Sequence, residues 1–228
     1  MALYAIAIAV AIAPCVSHPA PAETPSAKKH VSICCVGDSI TEGGASFRSY
    51  RVPLESELAA AGYEVEWKGS HATPASGSSR AHEGWSGKSA EQVAAIYARN
   101  ADADVADVLL LHAGHNHDAE REPPERIVSA VVGAHRRIIA AARERNPKVK
   151  VLYAQVIESG KLPKYSYIPA LNEAIARTAA ELSRPSSPVV CVDMATGWNW
   201  AEDTVADKVH PNAKGAEKMA TKWLAALR

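Results

Sequence analysis

Phenylalanine is nearly absent. The chain of 228 residues holds one, and aromatic residues make up only 6% of it. A wide aromatic groove for long apolar ligands is hard to build from that supply. Net charge is absent too: 25 Lys and Arg stand against 25 Asp and Glu, so no broad basic field exists to hold a nucleic acid. Cysteine is sparse, at positions 15, 34, 35 and 191. If Cys15 leaves with a leader, an odd number remains and no disulfide framework is implied. Cys34 and Cys35 read instead as small buried hydrophobes on opposite faces of one strand. Long apolar runs are missing except at the start. There "MALYAIAIAVAIAPC" is too short for an ordinary transmembrane helix. With Ala20-Pro21-Ala22 as a cleavage site, it reads as a secretory signal over 1–22, although no Lys or Arg precedes it. A Pro/Ala-rich linker over 23–29 and one domain over 30–228 follow. This organisation predicts a secreted or periplasmic protein with no stable membrane partner.

What is present is a core. Hydrophobic residues make up 47% of the chain, and its length suits one sizeable α/β domain. Strand-like and helix-like patterns alternate. The strands are "VSICCVG", "YEVEWKGS", "ADVLLLHAG", "VKVLYAQV" and "PVVCVDM". The helices cover Tyr50–Gly62, Ser89–Arg99, Pro123–Arg145, Pro169–Leu182 and Asn212–Leu227. Ser89 followed by Gln92 has capping-box spacing, and the prolines at 123 and 124 sit where a first helical turn tolerates them. Three strands are continuous apolar runs, as expected when both sheet faces are covered. The expected architecture is a three-layer α/β/α sandwich around a mostly parallel five-stranded sheet, with its site at the carboxyl ends of the strands.

Those strand ends carry the chemistry. "VSICCVGDSITEGG" stops a buried strand at Gly37-Asp38-Ser39. The next segment to end near the sheet holds "HEGWSGKS" with Gly84. Then come "HAGHNHD" with Gly114 and Asn116, and "DKVHPN" with Asp207 and His210. A hydroxyl, an imidazole, a carboxylate and amide donors converging on one edge form the inventory of acyl transfer.

In this order the four blocks resemble the SGNH hydrolases, the GDSL-type esterase and lipase superfamily. They are "GDSIT" at 37–41, the glycine of "HEGWSG", G-x-N at 114–116 and D-x-x-H-P at 207–211. The stretch "YRVPLESELAAAGYEVEWKGS" followed by "HEGWSGKS" is most similar to family 3 carbohydrate esterases (acetylxylan esterases) and related sugar O-acetylesterases. The resemblance implies the flavodoxin-like fold of that superfamily and a set of roles. Ser39 would be the nucleophile, His210 the general base and acid, and Asp207 the group that orients His210. The backbone N–H of Ser39, the N–H of Gly84 and the side-chain amide of Asn116 would hold the oxyanion. Asp38 would tie the turn through backbone hydrogen bonds. Relatives commonly read G-T-N-D in the third block. Here the acid has become His117, which shifts the contacts expected in the substrate pocket.

Several residues carry two readings. His112, His115, His117 and Asp118 crowd one segment, as metal ligands or as pocket polarity; an activated serine needs no metal, and no cofactor is expected. Trp85, Trp198 and Trp200 are either faces for a sugar ring or loop packing. Arg48 and Arg51 either hold a polar substrate or are exposed helix-end charges, the latter being the reading the sequence favours. With Trp85, Arg48, His117 and Trp198 as substrate contacts, the expected partner is an acetylated carbohydrate or another small ester. A lipid esterase on the same scaffold and a carbohydrate-binding protein without turnover remain the competing readings.

Overall fold

Alternation places Ile33 and Cys35 on one face of the first strand and Cys34 and Val36 on the other. The rest of the fold is built on that division. The computed structural model describes residues 27–74, 77–100 and 105–228, so the expected leader over 1–22 and most of the expected linker over 23–29 lie outside the described residues. Strand β1 (Lys29–Gly37) begins one residue ahead of the expected domain boundary. It is followed by a short helix α1 (Ser39–Glu42), α2 (Arg51–Ala60), β2 (Tyr63–Lys68) and a two-residue strand β3 (Glu83–Gly84). Then come α3 (Ala90–Arg99), β4 (Val108–His112), α4 (Pro124–Arg145) and β5 (Lys150–Ala154). The chain ends with α5 (Ile168–Leu182), β6 (Val189–Val192), α6 (Trp200–Asp203) and α7 (Ala213–Leu227).

All strand pairs are parallel, in the order β2-β1-β4-β5-β6. The five expected strands are all present. β3 is the addition: it pairs with β1 past the point where β2 leaves it. Two residues are too few for any periodic signal in sequence. Helices α3, α4 and α5 pack on the face carrying Cys34, Val36, Leu109 and Leu111. Helices α2 and α7 cover the face of Ile33, Cys35, Leu110 and Leu152. The two adjacent cysteines therefore serve two separate cores. Burial pushes the Cys35 thiol up to about 12, so it stays protonated and acts as a small hydrophobe.

The helix starts follow the local signals. Ser89 Oγ accepts from Gln92 N while Gln92 Oε1 accepts from Ser89 N, which completes the capping box of α3. Asn212 caps α7 by accepting from Gly215 N at 3.0 Å.

The register decides where the site lies. Gly37 at the end of β1 is paired with Gly84 on one side and with His112 on the other. The first three sequence blocks thus end at the same level of the sheet. β1 and β4 are also where the chain switches from building one side of the sheet to building the other, the position where open α/β sheets form crevices. Gly37 has no alternative here: a Cβ would stand 2.1 Å from His112 O and 2.2 Å from Thr41 Oγ1.

Candidate active site

Asp38 opens the turn after β1 and is fully buried. Its Oδ1 accepts from Ile40 N at 3.1 Å, which caps α1. Its Oδ2 accepts from Gly114 N at 3.2 Å and His115 N at 3.3 Å. One carboxylate therefore fixes the hydroxyl-bearing turn and straps it to the loop after β4. The turn-holding part of this was legible in the sequence; the reach across to the third block was not.

Ser39 is the first residue of α1, 7% exposed. Its Oγ lies 2.8 Å from His210 Nε2. His210 Nδ1 lies 2.6 Å from Asp207 Oδ2. A carboxylate oxygen only accepts, so Nδ1 carries the proton and Nε2 presents its lone pair to the Ser39 hydroxyl. Asp207 Oδ1 accepts from Val209 N at 2.8 Å and His210 N at 2.9 Å, so the carboxylate that faces the ring also closes its own loop. Burial pushes the Asp207 carboxyl up. The hydrogen bonds from the His210 ring and from the two backbone N–H groups outweigh it, and Asp207 titrates below its ordinary value.

Phe47, the single phenylalanine, stacks on the His210 ring at 4.0 Å between centroids and 22° between planes. No sequence block points to it, because it lies in a loop without periodicity. Its ring covers one face of the imidazole.

The donors around Ser39 differ in their commitments. No hydrogen bond engages Ser39 N among the described residues. Asn116 Nδ2 donates one hydrogen to Lys88 O at 2.9 Å and has a second to offer. Gly84 N donates to His82 Nδ1 at 3.0 Å, so this N–H already has an acceptor. His82 is buried and its pKa is pushed down to about 2 by burial and by the nearby Arg51, which keeps the ring a neutral acceptor. Gly84 itself is packed too tightly for a side chain: a Cβ would meet Glu42 N at 2.4 Å.

The remaining candidates are spread around this centre. His117 places Nε2 3.2 Å from Glu91 Oε2. The two border a polar hollow of about 460 Å³ shared with Ser89, Asn116, Arg121 and Lys164. Glu91 carried no signal in sequence beyond being an acid in the first turn of a helix. His112 and His115 are buried beneath the Ser39 turn, with His115 Nε2 donating to Ile157 O at 2.9 Å. The His112 and His115 rings stack with centroids 5.8 Å apart, and only His117 faces Glu91. Among the described residues neither His112 ring nitrogen meets a hydrogen-bond partner, and no metal-holding group of three or more ligands occurs.

The Trp85 ring rests on His71 at 4.2 Å, and its Nε1 donates to Glu83. Trp198 Nε1 donates to Glu158 O, and its ring packs close over Gly215. Arg48 is exposed, at the rim of a hollow beside Phe47 and Val205.

Arg51 overturns the expectation of an exposed helix-end charge. It is 1% exposed. Its guanidinium donates to Thr41 O at 2.7 Å, Glu42 O at 2.9 Å and Arg80 O at 3.2 Å. Thr41 and Glu42 end α1, where helical carbonyls have no partner within the helix. A planar donor fork satisfies them, which explains why the cation can be buried. Arg51→Leu is expected to cost about 2–4 kcal/mol of folding stability by removing the donors to Glu42 O and Arg80 O and leaving Thr41 O with the Ser49 hydroxyl alone, seen as a lower urea midpoint at an unchanged slope.

Residues 35–218 match the GDSL-like Lipase/Acylhydrolase family. The chain belongs to that family. Among solved structures, this family member is similar to a carbohydrate esterase of family 3 from Talaromyces cellulolyticus, with 27% identity, a TM-score of 0.74, and coverage of 86% of this chain and 96% of that one. It is similar to a mutant acetyl esterase crystallised with an acetate ion, at 25% identity, a TM-score of 0.72 and the same coverage. A family 3 carbohydrate esterase from Clostridium thermocellum shares the fold at 24% identity and a TM-score of 0.67, covering 87% of this chain and 95% of that one. No curated protein matches the chain. Among the described residues of this GDSL-like protein, no helix is long and apolar enough to cross a membrane.

Proposed function

We propose that this GDSL-like protein is a serine esterase that removes acetyl groups from carbohydrate esters. The observation that carries the reading is the continuous line from Ser39 Oγ through His210 to Asp207, at 2.8 and 2.6 Å. In the proposed reaction His210 Nε2 takes the Ser39 proton as Oγ attacks the acetyl carbonyl. Asp207 holds the ring and stabilises the imidazolium that forms. Collapse of the tetrahedral intermediate expels the sugar alkoxide, which leaves as the alcohol with the proton from His210. Water then attacks the acetyl-Ser39 ester with His210 again as base, releasing acetate.

In this reading Ser39 N and the second hydrogen of Asn116 Nδ2, neither committed to an acceptor among the described residues, are the donors for the oxyanion. Gly84 N joins them by sharing its hydrogen between His82 and the oxyanion. Asn116→Ala is expected to lower kcat by about 10²–10³ while KM changes little, because this donor acts on charge that exists only in the transition state.

The carbohydrate reading is supported by the polarity of the hollow beside Asn116 and by the likeness to an acetyl esterase and a carbohydrate esterase. Acids, bases and hydroxyls suit an alcohol rich in hydroxyl groups better than an acyl tail. Export to the periplasm or medium fits a polymeric sugar substrate. It rests on the apolar run Met1–Cys15, and amino-terminal sequencing of the mature protein tests it.

The deciding experiment measures acetate release from acetylated xylan and a peracetylated monosaccharide, alongside nitrophenyl esters of two to twelve carbons. Acetate preference with turnover of the sugars supports the proposal. Rates that rise at eight carbons or more point to a lipid esterase instead. Sugar binding with no Ser39-dependent release points to a binding protein.

A further inference from the structure

The loop after β5 holds none of the four sequence blocks, yet it is tied to the third block at His115 and to the fourth at Lys208. At its start Val156 N donates to Asn172 Oδ1 at 2.7 Å, and Asn172 Nδ2 returns a bond to Val156 O at 2.9 Å. Ile157 O accepts from His115, next to the Asp38 strap. Glu158 O accepts from Trp198. Ser159 Oγ donates to Lys208 O at 2.8 Å, and Gly160 N donates to the same carbonyl at 2.9 Å.

That carbonyl belongs to an unusual residue. Lys208 has φ of +61°, and it is the one non-glycine with positive φ among the described residues. A long side chain holds this left-handed conformation only when its surroundings impose it. It lies directly after Asp207, inside the turn in which Asp207 Oδ1 caps Val209 N and His210 N. Turning Lys208 aims Asp207 back at the His210 ring. Ser159 is itself 5% exposed, and its oxygen also accepts from Lys161 N, so the hydroxyl is fixed in direction. Gly160 can approach because it lacks a side chain: a Cβ there would stand 2.4 Å from the Trp200 ring.

We propose that Ser159 is a positioning residue for the Asp207–His210 pair, acting through the Lys208 carbonyl. This rests on the reading of Ser39, His210 and Asp207 as the reacting centre. Ser159 touches no substrate. It holds the left-handed turn that sets the Asp207 carboxylate against Nδ1, with Gly160 N as the second tie.

The test compares wild type with Ser159→Ala, Ser159→Cys and Ser159→Thr on nitrophenyl acetate, with melting curves for each. Cysteine keeps the shape of the side chain at a slightly larger size and replaces a strong donor by a weak one. It therefore decides the matter even if the alanine variant fails to fold. The alanine and cysteine variants are expected to lose about tenfold in kcat with KM within a factor of two, and threonine to restore most of the rate. A folded Ser159→Cys with the kcat of wild type overturns the positioning role. So does a loss that appears in KM alone. A wild type that hydrolyses no ester would instead fail the reading of the reacting centre itself, so the two failures are distinguishable.

Discussion

Ser39→Ala is expected to lower kcat for nitrophenyl acetate by about four to six orders of magnitude, with little change in KM. The size follows from what the hydroxyl does. It supplies the bond to the acyl group, and neither His210 nor the oxyanion donors replace that bond. Residual turnover would come from water activated at His210 and from the donors at Ser39 N and Asn116. The fold should barely respond. Asp38 caps α1 and straps the third block through its own carboxylate, and neither contact uses the Ser39 side chain. The removed oxygen bonds only His210 among the described residues, and the His210 side chain is 22% exposed, so solvent can reach it. Melting temperatures within a few degrees of wild type, together with the loss of rate, separate a catalytic defect from unfolding.

A second large effect is expected from acid. Burial pushes His112 down to about 4, His135 to about 3 and His82 to about 2, and it lowers His115 as well. These rings stay neutral in the folded chain, whereas in the unfolded chain they take up protons near pH 6.5. The unfolded state therefore binds more protons below that pH, and stability falls as pH falls. The loss continues until the folded-state values are reached. Three such histidines are expected to remove about 4–6 kcal/mol between pH 7 and pH 5, a large part of the stability of a typical domain. Asp207, held below its ordinary value, adds loss of the same sign at still lower pH. Urea unfolding at pH 7.5, 6 and 5 should show a steadily falling midpoint. A flat midpoint across that range would mean that the buried rings are protonated in the fold.

The layers and the five main strands followed from apolar runs broken at the right places, because periodicity and length are local properties. So did the clustering at the sheet edge: glycine, aspartate and serine after one strand, and G-x-N after another, end up level through the pairing of Gly37 with Gly84 and His112. The order of the strands in the sheet is a long-range property and was read only from the structure. The contacts that were not legible depend on how loops fold back on the sheet edge, not on local periodicity. Arg51 read as surface charge because nothing local says that the end of α1 needs donors at that spot. Phe47 lies in a loop with no periodicity and Glu91 reads only as a first-turn helix acid; what sets them apart is the rings they meet, His210 and His117. The loop after β5 has the same character. Its role is carried by backbone carbonyls and one hydroxyl, which leave no mark in composition. Gly84 shows the limit from the other side: the glycine was legible, but the His82 ring that accepts its N–H was not.

The central claim is that Ser39 is the nucleophile, activated by His210. The most direct test is reaction of the protein with a fluorophosphonate ester, followed by peptide mapping. A nucleophilic Ser39 displaces fluoride and keeps the phosphonyl group. The expected result is one label per chain, on the peptide containing Ser39, with parallel loss of esterase activity and no label on the Ser39→Ala variant. Ester turnover that survives with Ser39 unlabelled, or a label that settles on another residue while activity is lost, would contradict it.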